Sequence, residues 1–504
     1  MNFIWNFPLF TVVLSLFAGP LCMLLGAKAA RNFTIAYESV LIGMTSCVLG
    51  YTLKTGKAFT YSMGEFPAPW GNEIRAGSLE ALIALLFSVV LLCSVTAGYH
   101  FLQKDIDESK INLYFSLINL MTAALMAITW TNDVFTGYVF LEILTLTSCG
   151  ILIVREIGRT TLAAVRYMIL NLMGSGLFLM GVVLLYDISG HLLMIPMRQS
   201  LQRVCENPSQ IPAVSMAVCI MTIGIAIKSG LFPFYFWMPD TYGWATPTSG
   251  AVLSSLVTKG YIFLLFKIIY RAVGMDVMRK TPVLKVLFIL GICGIIVGSI
   301  SALRASNINR MIAFSSAAQT GYIYMGIGIG TVAGFAAAIF QILVHALTKS
   351  LLFLTAPCLA EVSGDSLRFH ALQGSGHRDV LAGRLFSAGA LSMIGVPVFA
   401  GFATKLMFGE AVVLGGIHWR IVVVLAVLGV SSVLNALYFI RTLIRIYYDP
   451  DSSMQLSEQG RPAADRSRLA FAFSGTVLIL LNLFLGLFSW VISDVIYRGL
   501  SMFI

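Results

Sequence analysis

The chain has 504 residues, of which 58% are hydrophobic and only 11% are charged. Soluble globular domains carry about a quarter charged residues, so this composition excludes an ordinary soluble enzyme. It also excludes a disordered or fibrous chain, because the apolar fraction is too high for either class. The formal net charge is +10, but the basic residues lie in short segments between apolar stretches, which is typical of membrane proteins rather than of nucleic-acid binders.

Apolar stretches of about 20 residues, the length that crosses a bilayer as a helix, recur along the whole chain. We predict an all-α polytopic membrane protein with about fourteen spans in one domain, 1–504, ending in a cytoplasmic loop (448–468) and a last helix and tail (469–504). The first stretch is expected to be retained as a helix, because no cleavage site of small residues follows it. The predicted windows are 8–28, 33–53, 77–102, 111–130, 134–154, 162–186, 213–237, 249–270, 284–303, 309–330, 333–357, 385–415, 420–447 and 469–492.

Lys and Arg are distributed unevenly between alternate loops. The loops after odd-numbered spans hold 17 of them, and the loops after even-numbered spans hold 10. Because basic loops are retained on the cytoplasmic side, this bias places the odd loops in the cytoplasm and both termini outside. The basic cluster at 271–285 opposes that assignment.

The sequence carries no signature of a cofactor. Its eight cysteines include no CxxC pair, and no P-loop or haem attachment motif is present. We therefore expect no cofactor and no metal, and no redox chemistry in this chain. Any energy for transport must come from an ion gradient or from partner subunits.

Five lysines lie inside the apolar windows, namely Lys228, Lys259, Lys267, Lys349 and Lys405. An ionisable group at the bilayer centre costs at least ~2.5–3.5 kcal/mol, so it normally faces a wet or paired interior. Lys267 lies near its helix end and is expected to reach the interface with its long side chain. Each of the other four is either one half of a buried structural pair or part of an ion path.

Three further ionisable residues could work with those lysines. Glu142 lies in the middle of the fifth span, and Glu410 follows Lys405 by five residues, about one and a half helical turns. His345 and Lys349 are spaced i,i+4 and share a face of the eleventh span. A histidine titrates near neutral pH and suits a proton relay, although it could equally be a hydrogen-bonding strut.

Glu38 and Glu80 lie near predicted helix starts. An acid there complements the helix dipole, so we expect no transport role for either residue.

Two spans contain helix-breaking residues close to a lysine. In the seventh, Gly230 and Pro233 follow Lys228, and in the twelfth, Pro397 and Gly401 precede Lys405. Non-helical backbone is tolerated inside a bilayer only where it lines a cavity. Breaks at corresponding places indicate two inverted repeats, spans 4–8 (111–272) and 9–13 (284–447), with an ion site at each break.

The sequence around these residues resembles the antiporter-like subunits shared by respiratory complex I, Mrp-type cation/proton antiporters and membrane-bound hydrogenases. The resemblance rests on "KSGLFPFYFWMPDTYGWATPTSGAVLSSLVTKGYIFLL", "RMIAFSSAAQTGYIYMGI", "HALTKSLLFL" and "GVPVFAGFATK", and it covers the third to the thirteenth span. It implies a proton-translocating subunit of a multisubunit complex in a prokaryotic plasma membrane. The expected partners are other membrane subunits of the complex. The expected transported ion is H⁺, either alone or together with Na⁺, and no nucleic acid is expected to bind.

The resemblance also assigns roles. It implies that Glu142 is the glutamate of the fifth helix, Lys228 the lysine of the seventh and Lys259 the bridging lysine of the eighth. His345 matches the histidine of the eleventh helix, with Lys349 one turn later, and Lys405 matches the terminal basic residue of the twelfth. A lysine at that last position is similar to the Mrp D-type and hydrogenase-type subunits, and it disfavours the complex I subunit that ends in an acid.

Physical reasoning about these residue types agrees with that role. Burial favours a neutral lysine and a nearby carboxylate favours a charged one, so a Glu142–Lys228 pair that opens and closes would move a proton. We expect the two groups to lie at ion-pair distance or one water apart. Two alternatives stay open: an independent transporter of a small solute, and a structural subunit whose buried charges are inert.

Overall fold

The computed structural model describes residues 3–63, 66, 71–448 and 465–503. Most of the predicted cytoplasmic loop, residues 449–464, lies outside this described part of the chain. The loop ends earlier than predicted, because a helix already begins at Asp465.

The described chain is almost entirely helical, and one short antiparallel hairpin, β1 (Phe59–Ser62) and β2 (Glu73–Ala76), joins the second and third long helices. The helices of the first half are α1 (Phe7–Leu24), α2 (Ala27–Thr55), α3 (Ser78–Asp105), α4 (Ile111–Trp130), α5 (Val134–Ile153), α6 (Gly158–Ser189), α7 (Met194–Val204), α8 (Ile211–Ser229), α9 (Met238–Trp244), α10 (Pro247–Val252), α11 (Thr258–Lys267) and α12 (Met275–Met278). Those of the second half are α13 (Val283–Leu303), α14 (Ile308–Ile329), α15 (Val332–Glu361), α16 (Ser375–Arg378), α17 (Val380–Ile394), α18 (Ala400–Leu414), α19 (His418–Tyr447), α20 (Asp465–Leu487) and α21 (Ser489–Ser501).

Twelve helical segments of the described chain are long and apolar enough to cross a membrane. The predicted class, an all-α multi-pass membrane protein, is therefore confirmed. Each of the fourteen predicted windows overlaps a helix, including window 309–330, which is α14, and window 385–415, which is the pair α17 and α18. The count of fourteen spans and the two inverted repeats stay predictions.

Small residues set the close packing between neighbouring helices. A Cβ placed on Gly291 of α13 would lie 2.5 Å from the Met325 nitrogen of α14, and one on Gly321 would lie 2.7 Å from the Gly291 oxygen. Gly174 of α6 and Gly224 of α8 approach each other in the same way. Backbones can come this close only where side chains are absent, as is usual for helices packed in lipid.

The helical backbone stops at both predicted breaks. α8 ends at Ser229, and Gly230 adopts a left-handed conformation with φ +67° before the short helical turns that follow. α17 ends at Ile394, Gly395 has φ +90°, and α18 begins at Ala400. Pro397 lies between these two helices, whereas Gly401 is already the second residue of α18.

Candidate functional site

Lys228 lies at the end of α8 and is completely buried. Its Nζ donates a 2.7 Å hydrogen bond to Thr145 Oγ1 of α5 and lies 5.3 Å from the centre of the Tyr261 ring. Glu142 is one turn before Thr145 and close enough to act on Lys228 electrostatically, but the described residues contain no direct ion pair between them. Thr145 is the immediate hydrogen-bond partner of Lys228, and the predicted placement of Glu142 at ion-pair distance or one water apart stays a prediction.

Hydroxyl groups extend from Lys228 towards the eighth span. Thr145 Oγ1 lies 3.1 Å from the Tyr261 hydroxyl, which lies 3.5 Å from the Tyr167 hydroxyl. The Tyr242 hydroxyl is buried near both Tyr167 and Thr258, and it has no hydrogen-bond partner among the described residues. These side chains provide hydroxyl groups along the route from Lys228 to the residue next to Thr258.

Lys259 follows Thr258 and lies next to a segment in which the helix changes from α to π geometry. Leu253–Val257 form a π-helical segment between α10 and α11. Lys259 Nζ donates to the carbonyl oxygen of Ser254 in this segment at 2.7 Å, and to Thr258 Oγ1 at 2.9 Å. The irregular helix therefore satisfies a buried ammonium without any carboxylate.

His345 and Lys349 lie one turn apart in the middle of α15, and both are completely buried. Lys349 Nζ donates to Ile312 O at 3.0 Å and to Ser315 Oγ. Among the described residues, neither ring nitrogen of His345 has a hydrogen-bond partner, although Lys259 and Lys349 are near enough to act on it electrostatically. A buried imidazole with two free nitrogens can bind water on either side.

Polar side chains continue from Lys349 towards the second break. The Tyr438 hydroxyl lies beside Ser315 and donates to Asn435 Oδ1 at 2.7 Å. Asn435 Nδ2 in turn donates to Met393 O at 3.3 Å, at the last turn of α17. This route reaches the helix end that Lys405 contacts.

Lys405 projects from α18 back to the end of α17. Its Nζ donates to Ile394 O at 2.5 Å and to Ser432 Oγ of α19 at 2.8 Å. A cavity of about 10 Å³ beside it, room for about one water molecule, is also lined by Gln319 and Gln341. Gln341 Nε2 donates to Gln319 Oε1 at 2.5 Å, and Gln341 precedes His345 by one turn on the same face of α15.

Glu410 does not join this group. It is exposed, and it lines a groove between α18 and α21 with Ser493, Asp494 and Tyr497. A spacing of five residues turns a side chain by about 140° around a helix, so Glu410 and Lys405 face different surroundings. We therefore correct the prediction that Glu410 acts on Lys405 through proximity along the helix.

Lys267 does not reach the interface as predicted. It is completely buried and donates to Thr129 O at 2.8 Å and to Thr131 O. These carbonyls belong to the end of α4, which leaves acceptors without helical partners, so Lys267 caps a neighbouring helix. The sequence alone could not show that α4 ends beside this side chain.

Three charged residues that the sequence places in loops or at a helix start, Arg75, Glu80 and Arg271, are buried as well. Arg271, counted among the loop residues, lies in the π-helical segment Ile268–Gly274 and is 3.8 Å from the Glu80 carboxylate. Arg75 lies 3.6 Å from the same carboxylate. Glu80 does start a helix, as predicted, but it also holds two guanidinium groups inside the protein.

Glu38 is not near a helix start. It is the twelfth residue of α2, which begins at Ala27, and it is completely buried against Thr122 of α4. The described residues contain no group of three or more His, Cys, Asp or Glu side chains arranged to hold a metal.

The fold and its buried lysines define a multi-pass membrane protein with ionisable groups inside the bilayer. Residues 131–433 match the family described as "NADH:quinone oxidoreductase/Mrp antiporter, TM". The chain belongs to this family of antiporter-like membrane subunits.

Relatives match over nearly the whole length. The chain is 32% identical to the N subunit of the NADH-quinone oxidoreductase of Desulforudis audaxviator, with 98% of each chain covered. It is 25% identical to the D-type subunit of the Na(+)/H(+) antiporter of Bacillus subtilis, over 95% of this chain and 92% of the other. A chain of the Mrp complex from Dietzia sp. has the same fold, with a TM-score of 0.86, 21% identity, and coverage of 99% and 97%.

Proposed function

We propose that this chain is the proton-translocating, antiporter-like subunit of a multisubunit complex in a prokaryotic plasma membrane. The observation that carries the proposal is the series of buried basic groups, Lys228, Lys259, Lys349 and Lys405, with hydroxyl and amide side chains between them. An ionisable group inside a membrane is costly, and four of them with polar intermediates favour a transport path over inert pairs. His345 and Glu142 are the further members of the proposed relay.

The direct partners of these lysines support a proton-carrying role. Three of the four donate to hydroxyl groups and backbone carbonyls, and Lys228 donates to a hydroxyl. Carbonyls only accept, whereas hydroxyls both donate and accept. An ammonium whose counter-charge is not in contact with it can give up its proton at a lower cost than one locked in an ion pair.

The proposed mechanism begins at Glu142. When Glu142 is ionised or moves closer, it stabilises the charged form of Lys228. When Glu142 is neutralised or moves away, Lys228 releases a proton towards Tyr261 and the water beside it. Lys259 receives the proton at the π-helical segment. From there His345, with two free ring nitrogens, and Lys349 pass it to Lys405.

The partners follow from the relatives. Two of these relatives are named as parts of an NADH-quinone oxidoreductase and of an Na(+)/H(+) antiporter, so we propose other membrane subunits as the partners of this chain. The energy source is a redox reaction in those partners or an ion gradient. In the proposed orientation both termini are outside, and the partly exposed Glu142 receives the signal of a neighbouring subunit.

Lys228→Met tests the proposal. Methionine keeps the length and apolar character of the side chain, so the protein is expected to fold while the charge is lost. We expect proton movement into vesicles containing the whole complex to fall at least tenfold. Lys285→Met, at an exposed position of α13, is the matched control and should transport normally. Full transport by Lys228→Met in an assembled complex would refute the proposed relay.

A further inference from the structure

Glu38 lies in a part of the chain that the proposed relay does not use. It precedes the family match at 131–433, and it lies roughly 16 Å along α2 from Ala27, near the middle of a helix about 43 Å long. Its side chain is completely buried, and Thr122 on the parallel helix α4 is its hydrogen-bond partner. A carboxyl group in this position requires a positive counterpart or a proton.

Two turns of helix face each other around this carboxyl. On α2, Thr34 precedes Glu38 by one turn, and on α4, Asn119 precedes Thr122 by nearly one turn. Asn119 Nδ2 lies 2.9 Å from Thr34 Oγ1, and Thr122 Oγ1 lies 2.9 Å from Glu38 Oε1. All four side chains are at least 99% buried, and we refer to them together as the Glu38 cluster.

The cluster contains oxygens without a donor. Glu38 Oε2 and Asn119 Oδ1 are fully buried and have no hydrogen-bond partner in the part of the chain that the structure describes. The orientation of the Asn119 amide is fixed, because its Nδ2 donates to the backbone carbonyl of Phe115 at 2.8 Å. Two orphan acceptors in one buried cluster call for a cation, a bound water or additional protons.

The proton count at Thr122 points the same way. Its hydroxyl has acceptors at both Glu38 Oε1 (2.9 Å) and Ile118 O (3.0 Å), yet it carries a single proton. If Glu38 is protonated, the acid donates to Thr122 and Thr122 donates to Ile118, so every proton has a place. If Glu38 is ionised, its buried carboxylate has a single hydrogen-bond donor, the Thr122 hydroxyl, which it shares with Ile118 O.

No basic side chain among the described residues forms an ion pair with Glu38. The titratable groups nearest to the cluster are the Tyr37 phenol, the next residue on α2, and the Cys22 thiol of α1, which lies 3.2 Å from Asn119 Nδ2. Neither is a cation. The counter-charge of Glu38 must therefore be a bound ion or a proton.

We propose that the Glu38 cluster is an intramembrane binding site for one monovalent cation, occupied by a proton in the arrangement seen and open to competition by Na⁺. A single carboxylate balances one positive charge, and carboxylate, amide and hydroxyl oxygens are the ligand types that hard cations prefer. A proton and Na⁺ exclude each other because each supplies the single positive charge that the buried Glu38 carboxylate requires. The inference does not rest on the proposed relay, which shares no residue with the cluster.

Infrared difference spectroscopy on the purified complex in lipid tests this site directly. Buffer is exchanged from choline chloride to NaCl at fixed pH and ionic strength. In the natural protein we expect Na⁺ to remove a protonated-carboxyl band and to produce a carboxylate band, with release of a proton. Glu38→Gln should abolish both changes, and Glu142→Gln, the control in the relay, should leave them intact.

Thr122→Val distinguishes proton binding from Na⁺ binding at the cluster. It also provides a second test if the Glu38→Gln protein does not accumulate. Valine preserves the shape but removes one oxygen ligand, so the protonated band should remain while at least tenfold more Na⁺ is needed to remove it. The proposal is overturned if the natural protein shows no protonated carboxyl that depends on Glu38. It is equally overturned if that band is indifferent to Na⁺, which would leave Glu38 as a neutral buried acid.

Discussion

The two helix breaks hold their lysines in different ways. At the first break, the end of α8 is capped without Lys228, because Leu231 N donates to Ala226 O and the Trp237 indole donates to Ile227 O. At the second break, Lys405 itself donates to Ile394 O, the last carbonyl of α17. Lys228 is completely buried, whereas Lys405 is half-buried.

This difference separates two roles that a lysine can have beside a broken helix. Carbonyls at a helix C-terminus carry partial negative charge and attract a cation, so Lys405 is stabilised in its charged form by the fold itself. Lys228 has one hydroxyl partner, Thr145, among the described residues. We infer that Lys228 changes its charge more readily and that Lys405 holds the proton longer.

The largest expected effect is that of Lys405→Met. It removes the terminal proton acceptor, and methionine fills the same space without leaving a large cavity. We expect translocation to stop, at least tenfold below the natural rate, in a complex that still assembles. Proton movement in vesicles over a range of pH is the measurement, and full activity would remove Lys405 from the path.

The break glycines differ in what a side chain would meet. A Cβ on Gly401 would overlap the Ser392 carbonyl oxygen, which is backbone, whereas one on Gly230 would meet the end of the flexible Met238 side chain. We expect Gly401→Ala to destabilise the protein by about 1–3 kcal/mol through overpacking. Gly230→Ala should cost about 1–2 kcal/mol from its positive φ alone. Thermal unfolding in detergent compares them, and the reverse order would contradict this account of the two breaks.

Removing one hydroxyl partner should affect the first break more than the second. Thr145→Val leaves the buried Lys228 without a hydrogen-bond acceptor, at a cost of about 1.5–3 kcal/mol for its charged form. Ser432→Ala leaves Lys405 with Ile394 O. We expect Thr145→Val to move the pH profile of transport towards acid, because charging Lys228 then requires more protons, and Ser432→Ala to move it less. Equal shifts would show that the helix-end carbonyl does not distinguish the two lysines.

Glu410→Gln should have the smallest effect. Glu410 is exposed and faces the groove beside α21, away from Lys405, and exposed charges interact weakly through solvent. We expect less than a twofold change in transport and no displacement of its pH profile. A clear acid shift would mean that Glu410 acts on Lys405 in the assembled complex.

Most of the helices could be predicted because a bilayer imposes a single length and polarity on every span. The basic groups at Lys228, Lys259, Lys349 and Lys405 were evident for the same reason. Their partners were not, because contacts such as Lys228–Thr145 or Lys405–Ser432 join helices far apart in sequence. Short-range spacing therefore misjudged Glu410, which is close to Lys405 along the chain and on another face.

The misread charges have one physical cause. Apolar content alone sets the predicted ends of a span, so Arg271 falls outside the eighth span and Lys267 falls close to its end. The structure instead extends the eighth span with the π-helical segment Ile268–Gly274 and packs it against α3 and α4. Whether a charged side chain near a helix end is buried depends on which other helices pack over that end. The sequence around the residue does not show which helices these are.

The buried group of Arg75, Glu80, Lys267 and Arg271 has an electrostatic consequence for the direction of ion movement. Lys267 lies roughly 12 Å beyond Lys259 along the same span, so this group stands between Lys259 and that end of the span. The guanidinium groups of Arg75 and Arg271 share the buried Glu80 carboxylate there, and Lys267 is close enough to interact with it electrostatically. With one carboxylate against three basic side chains, the group repels a positive charge. A proton at Lys259 that moved along its own helix would meet this barrier, whereas sideways travel towards Lys349 meets hydroxyls and an imidazole. We therefore expect this group to act as an electrostatic barrier that favours proton movement parallel to the membrane.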